Sequence, residues 1–93
     1  MHFARHLRDG VRSGAITCSV RIWHRPRVKT GGTYAMEEGR IVVEAVREIA
    51  LSDVNDALAR RSGFADVADL MATARHGGGA NVYLVEFRYE AAG

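Results

Sequence analysis

Apolar and polar residues alternate in two stretches of this 93-residue chain, and a period of two predicts β-strands. The first stretch runs from Ile16 to Trp23 and the second from Asn81 to Glu90. In the first, the face predicted to be buried carries Ile16, Cys18, Val20 and Ile22, and the face predicted to point outward carries Thr17, Ser19, Arg21 and Trp23. Two further strands, Thr33 to Met36 and Arg40 to Ile49, are predicted to form a hairpin about Glu38-Gly39.

Other stretches have the spacing of helices. Phe3, Leu7 and Val11 recur every four residues, which predicts a short amphipathic helix over residues 2–13. Ser52 or Asp53 is the predicted N-cap of a second helix that ends near Gly63. A third helix is predicted to begin at Asp66 and to end at the run His76-Gly77-Gly78-Gly79.

The predicted order is therefore α-β-β-β-α-α-β, in one domain spanning residues 1–93. This order favours an α+β fold in which a small mixed sheet or barrel is flanked by helices. It excludes the alternating βαβ pattern of doubly wound nucleotide-binding folds. The glycine run at 77–79 precedes a strand, whereas a phosphate-binding loop follows a strand and opens a helix.

The composition limits the cellular location and the cofactors that we expect for this protein. Cys18 is the only cysteine, so the fold does not depend on an internal disulfide and a cytoplasmic location is expected. We expect no membrane association, because no apolar run is long enough to span a bilayer and the first residues lack the apolar block of a signal peptide. His2 and His6 have no supporting third ligand, so neither a metal nor another cofactor is expected.

Charge is distributed unevenly along the chain. Residues 1–30 carry seven Lys or Arg residues and one acid, a net charge of +6, whereas residues 31–93 carry six Arg and ten acids, a net charge of −4. Two interpretations follow: a basic face that attracts phosphates, or pairing of the two halves within the molecule.

The segment from residue 17 to residue 29 combines the chemistry of phosphate binding with that of base stacking. Its candidate binding residues are Thr17, Ser19, Arg21, Trp23, Arg25, Arg27 and Lys29. Guanidinium groups bind phosphate in a bidentate manner, hydroxyls donate to phosphates or base edges, and an exposed indole stacks on a base. The alternative is a solvated sheet face on which Trp23 folds back onto the first helix.

The segment Gly14-Ala15-Ile16-Thr17-Cys18-Ser19-Val20-Arg21 resembles the opening G-x-K-T-x-T-x-R segment of ASCH domains. These are small β-barrel proteins of the PUA-like superfamily that are implicated in RNA binding. The resemblance continues in Lys29-Thr30-Gly31, in the helix from Leu51 to Phe64 and in the strand from Val82 to Phe87. It implies a PUA-like barrel flanked by helices, with RNA or a nucleoside as ligand.

Within that family, the chain is similar to the compact bacterial branch that includes 4-acetylcytidine amidohydrolases. The lysine, threonine and glutamate that those enzymes use fall on Ile16, Ser19 and about Ser62. Gly32 stands where the family turn has an aspartate. Neither an isoleucine nor a serine can act as the missing base or acid at neutral pH, so Ser19 is the remaining candidate catalytic residue and catalysis is disfavoured.

The prediction is a module that binds RNA or a modified nucleoside, in a groove between the strand face of residues 17–23 and the later helix pair. One alternative is a small hydrolase with a degenerate active site, either an acylated-cytidine amidohydrolase or a ribonuclease. The other is a protein-interaction module whose basic face meets an acidic partner. The oligomeric state is not specified by the sequence.

Overall fold

The computed structural model describes residues 1–74 and 79–92, and its elements follow the predicted order. The helices are α1 (Arg8–Ser13), α2 (Asp56–Arg61) and α3 (Val67–Ala74). One 3-10 turn, Arg5–Leu7, leads into α1. A second 3-10 turn, Leu51–Asp53, precedes α2. The strands are β1 (Cys18–Trp23), β2 (Thr33–Met36), β3 (Gly39–Ile49) and β4 (Asn81–Glu90).

The four strands form one sheet in the order β1-β4-β3-β2, which curls into a half-barrel. Every neighbouring pair is antiparallel, so the α+β class is confirmed but the prediction of a mixed sheet is wrong. The register of β3 against β4 shifts between Val43 and Ala45, leaving Glu44 as a bulge. A bulge increases the local twist of a strand, which contributes to the curl of the sheet.

Helical segments cover both faces of the sheet. On one face, the N-terminal residues Phe3, Leu7 and Val11 pack with Val85 and Phe87 of β4, and the ring centroids of Phe3 and Phe87 are 5.3 Å apart. On the other face, the helix pair packs against β1 and β4 in a second cluster that includes Val20, Leu58, Leu70, Val82 and Leu84. Strand β4 therefore contributes apolar side chains to both cores, which its alternating pattern allows.

The N-terminal helix is shorter than predicted. Its apolar stripe is buried as expected, but the helical turns begin at Arg5 and residues 1–4 lie outside them. Ile16 is also placed differently from the prediction that it shares a face with Cys18. It precedes β1 and packs in the same core cluster as Leu7. Gly63 lies close against it, since a Cβ added to that glycine would be 2.7 Å from the Cδ1 atom of Ile16.

The two helices before β4 are confirmed, although the first has a different cap. The Asn55 side chain accepts a hydrogen bond of 2.9 Å from the Leu58 amide and caps α2, so the assignment of Ser52 or Asp53 was wrong. Asp53 instead accepts from the Ala50 amide at 3.0 Å in the 3-10 turn. Gly63 follows α2 with a φ of +99°, a conformation that glycine adopts without the cost of a Cβ.

Residues 75–78 lie outside the described part of the chain, and with them most of the predicted break at His76-Gly77-Gly78-Gly79. The final strand has the predicted bounds, Asn81–Glu90. Within the described ranges, no helix has both the length and the apolar character needed to cross a membrane.

Candidate nucleic-acid interface

A cleft of about 260 Å³ lies where three parts of the chain meet. One wall is the N-terminal strap, residues 1–4, with Leu7; the floor is β1 from Ser19 to Trp23; the third wall belongs to the helix pair. Thr73 and Ala74 of α3 and Phe64 of the α2–α3 connection contribute to that wall, and Arg27 lies at the same cleft. The helix pair packs on the face of β1 that carries Val20, whereas Ser19, Arg21 and Trp23 lie on the face covered by the strap. The cleft is therefore not the predicted groove between that face and the helix pair; it spans the edge strand β1 and joins its two sides.

Arg21 is the central charged group of the cleft. Its Nε donates to Ser19 Oγ at 2.7 Å, its Nη2 donates to the His2 carbonyl at 2.6 Å, and its Cζ lies 5.0 Å from the centroid of the Phe3 ring. Burial lowers the pKa of Arg21, yet a guanidinium stays protonated in proteins. Among residues 1–74 and 79–92, no carboxylate pairs with it.

Ser19 is buried, with 9% of its surface exposed, so the prediction that it lies on an open outward face is wrong. The strap covers this face of β1, which the alternation of residue types alone does not reveal. The Ser19 hydroxyl accepts from a cation, and a guanidinium cannot remove its proton. This contact suits Ser19 for positioning Arg21 rather than for nucleophilic attack.

Trp23 is half-buried and lies against Tyr83, with ring centroids 6.0 Å apart and planes tilted by 36°. It lines the cleft and also packs against the core on the side of the strap, and whether it stacks on a base stays a prediction. Thr17, which precedes β1, is exposed outside the cleft. Its carbonyl accepts from the Phe87 amide at 3.0 Å.

The loop after β1 crosses towards β2 and is fixed at both ends. The His24 carbonyl accepts from the Asn81 side chain at 2.8 Å, and the Lys29 amide donates to the Tyr34 hydroxyl at 3.1 Å. Between these contacts Val28 is buried in the core. The exposed side chains of Arg25 and Arg27 therefore project from a backbone that is held in place.

Ion pairing divides the basic residues into two sets. Arg8 and Arg12 pair with Glu37 and Glu38 at 3.1 and 2.6 Å, which joins the basic and acidic halves of the chain. On β3 and β4, three arginines pair with three glutamates. Arg40 pairs with Glu90, Arg47 with Glu86, and Arg88 with both Glu44 and Glu90.

The second set makes no ion pair with any described residue, and it includes Arg21, Arg25, Arg27 and Lys29. Pairing between the two halves of the chain is thus observed for Arg8 and Arg12, whereas the interpretation of a phosphate-attracting face stays a prediction. Of the other cations without an ion pair among the described residues, Arg5, Arg60 and Arg61 lie elsewhere, outside the cleft lining.

The positions that the family resemblance matches to a lysine and a glutamate belong to the protein interior. Ile16 is a buried core residue, and the Ser62 hydroxyl is buried and donates to the Ala59 carbonyl at 2.9 Å. Neither lines the cleft. Within the described ranges, no three side chains of His, Cys, Asp or Glu come together as metal ligands would.

The cleft residues that were not among the candidates from the sequence include His2, Phe3, Phe64 and Thr73. Phe3 was visible in the sequence as part of an apolar stripe, but its contact with Arg21 is a tertiary one.

Comparison with known proteins finds no family model, no curated protein and no solved structure that matches this chain.

Proposed function

We propose that this protein binds RNA or a modified nucleoside in the cleft between the strap, β1 and the helix pair. We also propose that the chain is an ASCH-like domain with a PUA-like fold. Its curled antiparallel sheet flanked by helices supports this part of the proposal.

The observation that carries the proposal is the Arg21 guanidinium, which is partly desolvated at the floor of the cleft without a carboxylate partner among the described residues. Removing a charge from water is costly unless it is paired, so an acceptor or anion entering the cleft would recover that cost. Its Nη1 has no hydrogen-bond partner among the described residues and is the nitrogen that remains to donate to such a ligand.

The walls of the cleft suit the rest of a nucleotide. The partly exposed residues Trp23 and Phe64 line it, and aromatic faces stack with bases of any sequence. Arg27 adds a second cation, and none of the described residues that line the cleft is a carboxylate. A ligand that combines an aromatic ring with an acceptor or a phosphate fits this combination.

The test uses Trp23, the only tryptophan, as a fluorescent reporter within the cleft. Titration with UMP, CMP and 4-acetylcytidine should change its emission with at least one ligand. Replacing Arg21 by Met should weaken that binding about tenfold or more, because a hydrogen bond to a charged group contributes about 1.5–3 kcal/mol.

Arg27→Gln is the second variant, since its exposed side chain can be changed without disturbing the core, and it should weaken binding of the phosphorylated ligands. Arg47→Gln, at an ion pair with Glu86 on the sheet, is the control and should bind as the wild type does. An unchanged emission with every ligand, or equal affinity in all three variants, would contradict the proposal.

A further inference from the structure

Two loop cations lie outside the cleft. Arg25 and Lys29 are exposed, do not line the cavity and have no carboxylate partner among the described residues. Between them along the chain, Arg27 does line it. The cationic surface therefore begins in the cleft and continues beyond it along the loop of residues 24–29.

The cleft is too small for more than a fragment of a polymer. Pockets that enclose a drug-sized ligand measure about 300–1,000 Å³, and this one is about 260 Å³. A single nucleotide in contact with Trp23 and Arg21 would leave Arg25 and Lys29 without a ligand. These two positions gain a partner only when the bound molecule continues out of the cleft with further negative charges.

The loop is also organised in advance for such a strand. Its backbone is held by the contacts of His24 with Asn81 and of Lys29 with Tyr34, and by the buried Val28. A loop that is already ordered loses less conformational entropy on binding, so its cations contribute more of their attraction to affinity.

We infer that the ligand is a single strand of RNA, with one base in the cleft and the neighbouring phosphates on Arg25 and Lys29; this inference rests on the proposed function. A duplex does not meet the requirement, because its bases are stacked and paired and cannot reach Trp23. An acidic peptide could satisfy the loop cations but offers no base to the aromatic walls.

The experiment compares UMP, an oligouridylate of about ten nucleotides, a blunt-ended RNA duplex and polyglutamate, each titrated at several salt concentrations. The oligouridylate should bind about tenfold or more tightly than UMP, and more tightly than the duplex or polyglutamate. Each phosphate contact contributes about 0.7 to the slope of log affinity against log salt for a single strand.

The decisive variant is Arg25→Gln/Lys29→Gln. It should lower the salt slope for the oligouridylate by about 1.4 and its affinity about tenfold near physiological salt, while UMP affinity stays within about twofold. The matched control is Arg40→Gln/Arg47→Gln, which removes two charges that are ion-paired to Glu90 and Glu86, and its salt slope should equal that of the wild type.

The inference is overturned if UMP binds as tightly as the oligouridylate, if the duplex or polyglutamate binds equally well, or if the loop variant and its control behave alike. The proposed function fails in a different way, when neither UMP nor the oligouridylate binds and Trp23 emission never changes. The two failures are therefore distinguishable in one set of titrations.

Discussion

The Ser19–Arg21 contact shows how two residues on the same side of a strand support one another. Arg21 is desolvated, and Ser19 provides the acceptor for its Nε at 2.7 Å. The strap provides the second acceptor through the His2 carbonyl. Because the cation is held by neutral oxygens, its charge remains available to a ligand.

Replacing Ser19 by Ala should destabilise the protein by about 1–3 kcal/mol, because a partly buried guanidinium donor would lose its acceptor. The measurement is urea unfolding followed by Trp23 fluorescence. Ser62→Ala is the comparison: it removes a hydroxyl that donates to a carbonyl within the same helical region, and should cost about 0.5–1.5 kcal/mol. A Ser19 variant as stable as the wild type would contradict this account of Arg21.

Among the elements, the start of α2 is the place where the sequence predicts the wrong capping residue. Ser52, Asp53 and Asn55 are all residues that favour N-caps, so their types do not determine which one begins the helix. The structure uses Asp53 to close the 3-10 turn and Asn55 to cap α2.

Replacing Asn55 by Ala should therefore lower the free energy of unfolding by about 1 kcal/mol, whereas Asn55→Asp should keep the cap. Ser52→Ala should leave stability nearly unchanged, since its side chain makes no cap hydrogen bond in the structure. Thermal unfolding monitored by circular dichroism would separate the three variants. A larger loss for Ser52→Ala than for Asn55→Ala would restore the original cap assignment.

Much of the fold could be predicted element by element, whereas only part of the cleft lining could: Ser19, Arg21, Trp23 and Arg27. Alternation identified Asn81–Glu90 with its observed bounds, and helical spacing identified the buried stripe of Phe3, Leu7 and Val11. The same alternation placed Ser19 outward, because a polar residue between apolar ones usually faces solvent. Its burial depends on the strap, whose contact with Arg21 joins residues that are 19 positions apart.

At the scale of the whole molecule, charge is neutralised on one surface and left free on another. At the end of β4, the carboxylate of Glu90 accepts hydrogen bonds from Arg40 at 2.8 Å and from Arg88 at 3.0 Å. The hydrogen bonds from Arg40 and then Arg88 lower the pKa of Glu90 below its ordinary value of 4.5. By contrast, Arg21 at the cleft and Arg25, Arg27 and Lys29 on the loop make no ion pair with any described residue.

Acid should weaken the fold partly through Glu90. Because the folded state holds its pKa low, the stability that it contributes is fully present above pH 4.5 and is lost as the pH falls through the folded value. The Tm should therefore fall between pH 5 and pH 3, and Glu90→Gln should show a smaller fall over that range. A variant whose Tm depends on pH as strongly as that of the wild type would argue against the role of this carboxylate.

The position of β4 has a consequence for biosynthesis. It lies at the middle of the sheet, between β1 and β3, yet it follows every other described helix and strand along the chain. While the ribosome is still adding residues before Asn81, only the local hairpin of β2 and β3 can pair, and an isolated hairpin is marginally stable in water. The nascent chain therefore holds the apolar residues of both cores exposed until its last strand emerges, and it completes the two cores after translation of that strand rather than progressively.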